Sequence, residues 1–288
     1  MNAYEKQANS RDWIHLQRDA ETGIESVHAH FTGHAYDPHD HDEILVGVTQ
    51  QGLQRFNCNR ALHTSTPGRA ILIEPGAVHD GHAPQAEGFT YVMLYLPQSW
   101  VGEKLAQRGL GDVCALQAAF RNTLTDDGFL NSAILRAFNA IHYGEGRLAR
   151  DQSLDQLLAL LAQHIYTRPS SLYSDAFSQM IRVRDYLHDG MALDPGLDEL
   201  ARYAGVDRFR LTREFKKAFG LSPHTYLVRL RLRTARTLLA QGFKPALVAS
   251  QVGFSDQSHL GRWFQRAYRL TPAAYQRQCM KVRSAQTF

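Results

Sequence analysis

The chain has 288 residues, 44% of them hydrophobic, three cysteines and a formal net charge of +4. That length can bury two cores, while Cys58, Cys114 and Cys279 are too few and too scattered for a disulfide framework or a cysteine zinc site. No apolar run approaches the ~20 residues of a bilayer span, and the start, Met-Asn-Ala-Tyr-Glu-Lys-Gln, lacks the basic-then-apolar pattern of a signal peptide. The expectation is a reduced, cytoplasmic protein with no membrane partner.

From about Ile24 to Leu96 the chain is strand-like. Ile44 to Val48, Leu53 to Phe56, Ala70 to Ile73 and Phe89 to Leu96 are short β-rich runs. Pro38, Gly52, Pro67-Gly68, Pro75-Gly76 and Gly88 separate them, which predicts a sandwich or barrel. Nine of the fourteen histidines fall between positions 15 and 82. His39, His41 and Glu43 alternate, so they share a face if the segment begins a strand. His79 follows the Pro75-Gly76 turn. Residues of about 25–97, with their His-x-His pair, carboxylate and later histidine, resemble a cupin barrel.

That resemblance implies a binding set of His39, His41, Glu43 and His79. Three uses fit the set: a first-row metal as in enzymatic cupins, a small effector without metal, or pairing at a barrel rim. Glu43 follows His41 by two residues, where cupin enzymes place the carboxylate four or five later. The preferred reading is an effector pocket with no metal and no cofactor. A metal-dependent cupin enzyme fused to a DNA reader is the alternative. His28 and His30 alternate toward the interior or solvent, and His63 and His82 read as surface.

Beyond Ser99 the spacing turns helical: Leu105, Val113, Leu116 and Phe120, then Leu130, Ile134, Leu135, Phe138 and Ile141, then Leu154, Leu157, Leu158, Leu161 and Ile165. Packing of these helices on the barrel accounts for most of these apolar residues, and the last stripe is also the best candidate for a seam between two chains. Arg168 to Asp175 reads as a linker, and Ala176 to Leu187 as the first helix of a second domain.

A repeat then appears. Leu211, Phe215, Ala218 and Pro223 match Leu260, Phe264, Ala267 and Pro272, each pair 49 positions apart. Gly205 and Gly253, 48 apart, each follow a short apolar-periodic segment and precede a second one. Asp207 can cap one second helix, and Ser255 or Asp256 the other. This is a helix-turn-helix used twice, a unit whose second helix enters the DNA major groove. Leu211, Phe215 and Ala218, like Leu260, Phe264 and Ala267, take the core face. The candidate DNA-contacting side chains are Arg208, Phe209, Thr212, Arg213 and Lys216 in the first copy. In the second they are Gln257, Ser258, Arg262, Gln265 and Arg266, types that read bases and phosphates. One helix from His224 to Ala240 connects the copies, so both could enter successive grooves about 34 Å apart.

Charge follows this division. Residues 1–167 carry 12 Lys/Arg against 19 Asp/Glu, net −7, and residues 168–288 carry 20 against 9, net +11. A basic half around recognition helices is the footprint of duplex binding.

Residues from about 176 to 278 resemble the DNA-binding domain of the AraC/XylS family of bacterial regulators. The resemblance rests on Leu200-Ala201, Gly205, Leu211, Arg213, Phe215, Gly220 to Pro223, Tyr226, Arg231, Arg236, Gly242, Gly253-Phe254, Asp256 to His259, Phe264, Thr271-Pro272 and Tyr275. The stretch Thr66 to Asp80 resembles the regulatory domains of the same family. Pro245 and Arg269 depart from the family pattern, which usually has an apolar residue and a glycine there. The resemblance implies an α+β protein. Residues 1–167 would form a cupin-like β-barrel with flanking helices, for effector binding and dimerisation. Residues 168–175 would be the linker, and 176–288 an all-α domain with two helix-turn-helix units. The expected function is a non-enzymatic, effector-controlled transcription regulator, an activator acting as a homodimer on double-stranded promoter DNA and meeting RNA polymerase. Its sites are those named above.

Overall fold

The computed structural model describes residues 12–108, 118–167 and 175–285. The chain divides into two compact units, one of Met1–Arg168 with Arg277–Phe288, the other of Pro169–Gln276. No described helix is long and apolar enough to cross a membrane.

Strands β1 (Trp13–Arg18), β2 (Glu25–Phe31), β9 (Phe89–Leu96), β4 (Ile44–Gly52), β7 (Ala70–Ile73) and β11 (Leu124–Thr125) form one six-stranded sheet in that order. Strands β3 (His34–His39), β8 (His79–His82), β5 (Gln54–Cys58) and β6 (Ala61–Ser65) form a second sheet of four. β10 (Ala118–Phe120) pairs with β12 (Ile165–Thr167). Among the described residues these are two antiparallel sheets, not one continuously hydrogen-bonded barrel. The two larger sheets form the cupin-like arrangement expected from the sequence, open rather than continuously closed.

Period-two alternation explains what each face of the large sheet does. Ile44, Val46 and Val48 of β4, with Val92, Leu94 and Leu96 of β9, face the flanking helices. There they pack with α1 (Gln98–Gln107), α2 (Gly128–His142) and α3 (Arg147–Leu161) in one buried cluster. The alternate residues face the small sheet: Phe31 lies 6.1 Å from Tyr36, and Thr49 Oγ1 donates to Ser65 Oγ at 2.8 Å.

Helix α3 corrects one expectation. Leu154, Leu157, Leu158 and Leu161 are at most 2% exposed, because they complete the core beneath the sheet. A stripe consumed inside one chain is not available as a seam between two. Two other readings shift: Phe120 and Ile165 lie on paired strands, not helices, since a few apolar residues at three- or four-residue spacing also fit short β segments. Val113 and Leu116, and the linker except Asp175, lie outside the described residues.

His28 points neither to the interior nor to open solvent. It meets Trp13 edge-on at 4.8 Å and lies 6.2 Å from His142, whose Nδ1 is 3.0 Å from Ser26 Oγ. Burial, then the neighbouring His28 and His15, lower the His142 pKa from the ordinary 6.5 to about 4. The unfolded chain therefore takes up a proton below about 6.5 that the folded protein takes up only near 4. The stability this group contributes is complete above 6.5 and lost as pH falls toward 4. The melting temperature of the wild type is expected to fall more steeply across that window than that of His142→Gln. Parallel slopes in the two melting series would show that the fold does not hold this ring neutral.

The second unit is helical: α4 (Asp175–Asp189), α5 (Leu197–Ala204), α6 (Arg208–Phe219), α7 (Pro223–Ala240), α8 (Pro245–Gln251), α9 (Gln257–Tyr268) and the start of α10 (Pro272–Ala285). Met180, Val183 and Leu187 of α4 pack with Leu200 and Ala204 of α5 and with Leu211 and Phe215 of α6. Pro245 opens α8 at its first turn, where its missing N–H costs nothing. Arg269 takes the left-handed conformation at the end of α9, φ 57°, that Gly220 takes at the end of α6.

Candidate functional site

Two sites emerge, one in each unit. In the first, His39 ends β3, His79 begins β8, and the register pairs them directly. His41 and Glu43 lie in the connection before β4 rather than on one strand with His39, so shared strand alternation is not what assembles the set. The His41 carbonyl accepts from the Gly76 N–H at 2.7 Å, tying that connection to the Pro75-Gly76 turn.

The three histidines are 7%, 3% and 4% exposed, with ring centroids 4.5 to 5.4 Å apart. One ring nitrogen from each lies within 4.8 Å of the other two. Glu43 is half-buried and does not belong to that set of ligand atoms. His39 Nδ1 donates to the Asp37 carbonyl at 2.8 Å, and His79 Nδ1 to the Ala77 carbonyl at 2.9 Å. A carbonyl can only accept, so each Nδ1 carries its hydrogen and a neutral ring keeps its lone pair on Nε2.

Tyr36 packs edge-on against His39 at 5.0 Å, and its hydroxyl accepts from Gln54 Nε2 at 3.1 Å. Burial raises the pKa of Tyr36 and of Tyr91, keeping both hydroxyls neutral. Cys58 faces His79 across the β5–β8 register, and burial pushes its thiol up to about 12, the opposite of an activated nucleophile. The sequence reading missed Tyr36, Gln54 and Tyr95 as neighbours of the histidines. For Tyr95 a signal existed, since Tyr91, Met93 and Tyr95 alternate on one face of β9. His63, read as surface, is half-buried and stacks on Phe56 at 5.2 Å.

In the second unit each helix-turn-helix is built by its caps. Gly205 ends α5 with φ 67°, and Asp207 accepts from the N–H groups of Phe209 and Arg210 at 2.9 and 2.8 Å to start α6. In the second copy Asp256, not Ser255, is the cap, accepting from His259 N–H at 2.7 Å. Gly253 combines φ 87° with backbone contact: an added Cβ would lie 2.8 Å from the Ala192 carbonyl oxygen. The Ser255 hydroxyl lies 3.0 Å from His259 Nδ1, and His259 Nε2 accepts from Trp263 Nε1 at 3.0 Å.

The outward sets fall where helical spacing puts them. Arg208, Phe209, Arg213 and Lys216 on α6 are exposed, and Thr212 is half-buried with its hydroxyl donating to the Arg208 carbonyl. Gln257, Ser258, Arg262, Gln265 and Arg266 on α9 are all exposed. Phe209 is 76% exposed beneath the Arg208 guanidinium at 5.3 Å, an arrangement no core requirement explains. Not all of the basic charge is on the surface. Arg229, Arg231 and Arg236 of α7 are buried, and Arg231 donates to the carbonyls of Met191 and Leu193 at 2.9 and 2.5 Å.

Residues 21–173 match the family model described as AraC-like ligand binding domain, and residues 200–278 match a helix-turn-helix domain. The Bacillus subtilis protein YbfI, described as an uncharacterized transcriptional regulator, is 27% identical over 252 residues, 85% of this chain and 88% of its own. The transcriptional activator RhaS of Klebsiella pneumoniae is 32% identical over 121 residues, 41% of each chain. The crystal structure of ToxT from Vibrio cholerae shares the fold with a TM-score of 0.55 at 12% identity, covering 94% of this chain and 97% of that one. The chain belongs to the AraC family of transcription regulators, with a ligand-binding domain ahead of its helix-turn-helix DNA-binding domain.

Proposed function

We propose that the chain is a non-enzymatic activator that works as a homodimer, with residues 1–167 holding the effector and residues 176–288 reading the promoter. The effector sits between the two sheets beside His39, His41, Glu43 and His79. It acts by binding one arrangement of the protein better than another, since a ligand without that difference shifts nothing. The outward residues of α6 and α9 contact bases and phosphates of double-stranded DNA, and the bound protein contacts RNA polymerase. The observation that carries this reading is the cluster of three buried histidines with buried Tyr36 and half-buried Tyr95, in a domain of ligand-binding type fused to two exposed, basic recognition helices.

A thermal-shift screen of small acids, amines, sugars and amino acids against the full chain identifies the effector class. A ligand at 100 times its Kd adds about 2.7 kcal/mol to the unit that holds it. Glu43→Ala is then expected to abolish the effector's influence on DNA affinity while leaving effector-free DNA binding within about twofold, as measured by fluorescence anisotropy. An unchanged effector dose–response in Glu43→Ala would remove that residue from the pocket. Sedimentation at micromolar concentration tests the homodimer.

A further inference from the structure

The geometry points to a divalent first-row transition-metal site formed by His39, His41 and His79, deepening the effector reading of the same pocket, on which its regulatory role rests. Three observations support it. One ring nitrogen of each histidine lies within 4.8 Å of the others, close enough for one ion to bridge after small ring rotations. All three side chains are buried, so their convergence is a feature of the interior and not of a mobile surface. Most specifically, His39 and His79 each donate Nδ1–H to a backbone carbonyl two residues earlier, at 2.8 and 2.9 Å. That outer hydrogen bond is the one metal-ligating histidines make, because it fixes the tautomer and aims the lone pair of the other nitrogen.

The donor set selects the ion. Imidazoles suit Zn, Cu, Fe and Ni, whereas Mg and Ca require oxygen. The early position of Glu43 weighed against a metal so long as a carboxylate was counted as a ligand. A site of three imidazoles does not need it. Three protein ligands leave a coordination position open on a zinc-like ion. The three ligand side chains are imidazoles, and the buried carboxyl of Asp40 lies between His39 and His41 in the chain. The open position would take an effector through an oxygen or nitrogen lone pair.

The test uses the full chain, stripped with EDTA and desalted, then titrated with Co2+ alone, without DNA or effector. The expected result is a visible d–d absorption band saturating at one Co2+ per chain and bleached by one equivalent of Zn2+. His39→Gln and His79→Gln, which keep a polar side chain of similar size, are expected to weaken binding at least tenfold. His224→Ala, an exposed histidine of the second unit, should titrate like the wild type. A wild-type titration with no saturable band overturns the proposal, whatever the variants do. So does saturable binding that survives undiminished in both glutamine variants. Because the titration contains neither DNA nor effector, its failure leaves the effector reading standing. Conversely, effector-independent DNA binding leaves a measured metal site intact.

Discussion

Phe264→Ala is expected to destabilise the second helix-turn-helix by about 3–5 kcal/mol, the usual cost of emptying a fully buried aromatic position. Phe264 is 0% exposed, with its ring 4.6 Å from Tyr268 and 5.5 Å from Tyr275. It occupies the core face of α9 four residues after Leu260, opposite the exposed Arg262 and Gln265. A whole domain is stable by only about 5–15 kcal/mol, so this one truncation uses much of the margin. Urea denaturation reads the loss directly. Footprinting should show protection fading first at the half-site read by α9, because α6 packs in a separate buried cluster around Phe215. A change below about 1 kcal/mol would mean that Phe264 is not packed as described.

Arg213→Ala and Arg262→Ala should behave in the opposite way, leaving stability alone and weakening DNA binding. Both residues are exposed and occupy matching places on α6 and α9, and Arg213 meets its chain neighbour Glu214 at 3.3 Å. Each variant is expected to lose about 1–3 kcal/mol of affinity and to relax base preference in its own half-site, as removal of an arginine that reads a base edge does. Competition binding against single-base-pair variants of the site measures both. Equal weakening on every sequence would assign these arginines to phosphates, and an unchanged affinity would place the reading face elsewhere.

How legible each part was depends on how local its determinants are. The helix-turn-helix pair could be read because its signals are local and doubled. Capping aspartates, turn glycines and the Leu–Phe–Ala faces recur at one spacing, and caps and periodicity require only neighbouring residues. The sheet strands Ala70–Ile73 and Phe89–Leu96 were legible for a similar reason, being short β-rich runs bounded by turn residues.

What depends on tertiary partners was not legible. The leucine stripe of α3 looks the same whether its partner is another chain or the sheet above it, and only the fold shows that the sheet takes it. Helical spacing at Phe120 and Ile165 concealed a two-stranded ribbon whose partners lie far apart in sequence. Residue counting also overstated the charge available to DNA. Arg231 spends its guanidinium on the carbonyls of Met191 and Leu193, and Arg236 lies 5.5 Å from the ring centre of Tyr268. The three histidines do converge, but Glu43 is grouped with them in the sequence by an alternation that ends with β3 at His39.

The most direct test of the central claim is selection of bound duplexes from a random pool by the purified full chain. Two recognition helices, α6 and α9, predict enrichment of a two-part motif whose halves lie about one helical turn, 10–10.5 bp, apart. Arg213→Ala should blur one half and Arg262→Ala the other. A pool that stays random, or a motif that neither substitution alters, would contradict the account.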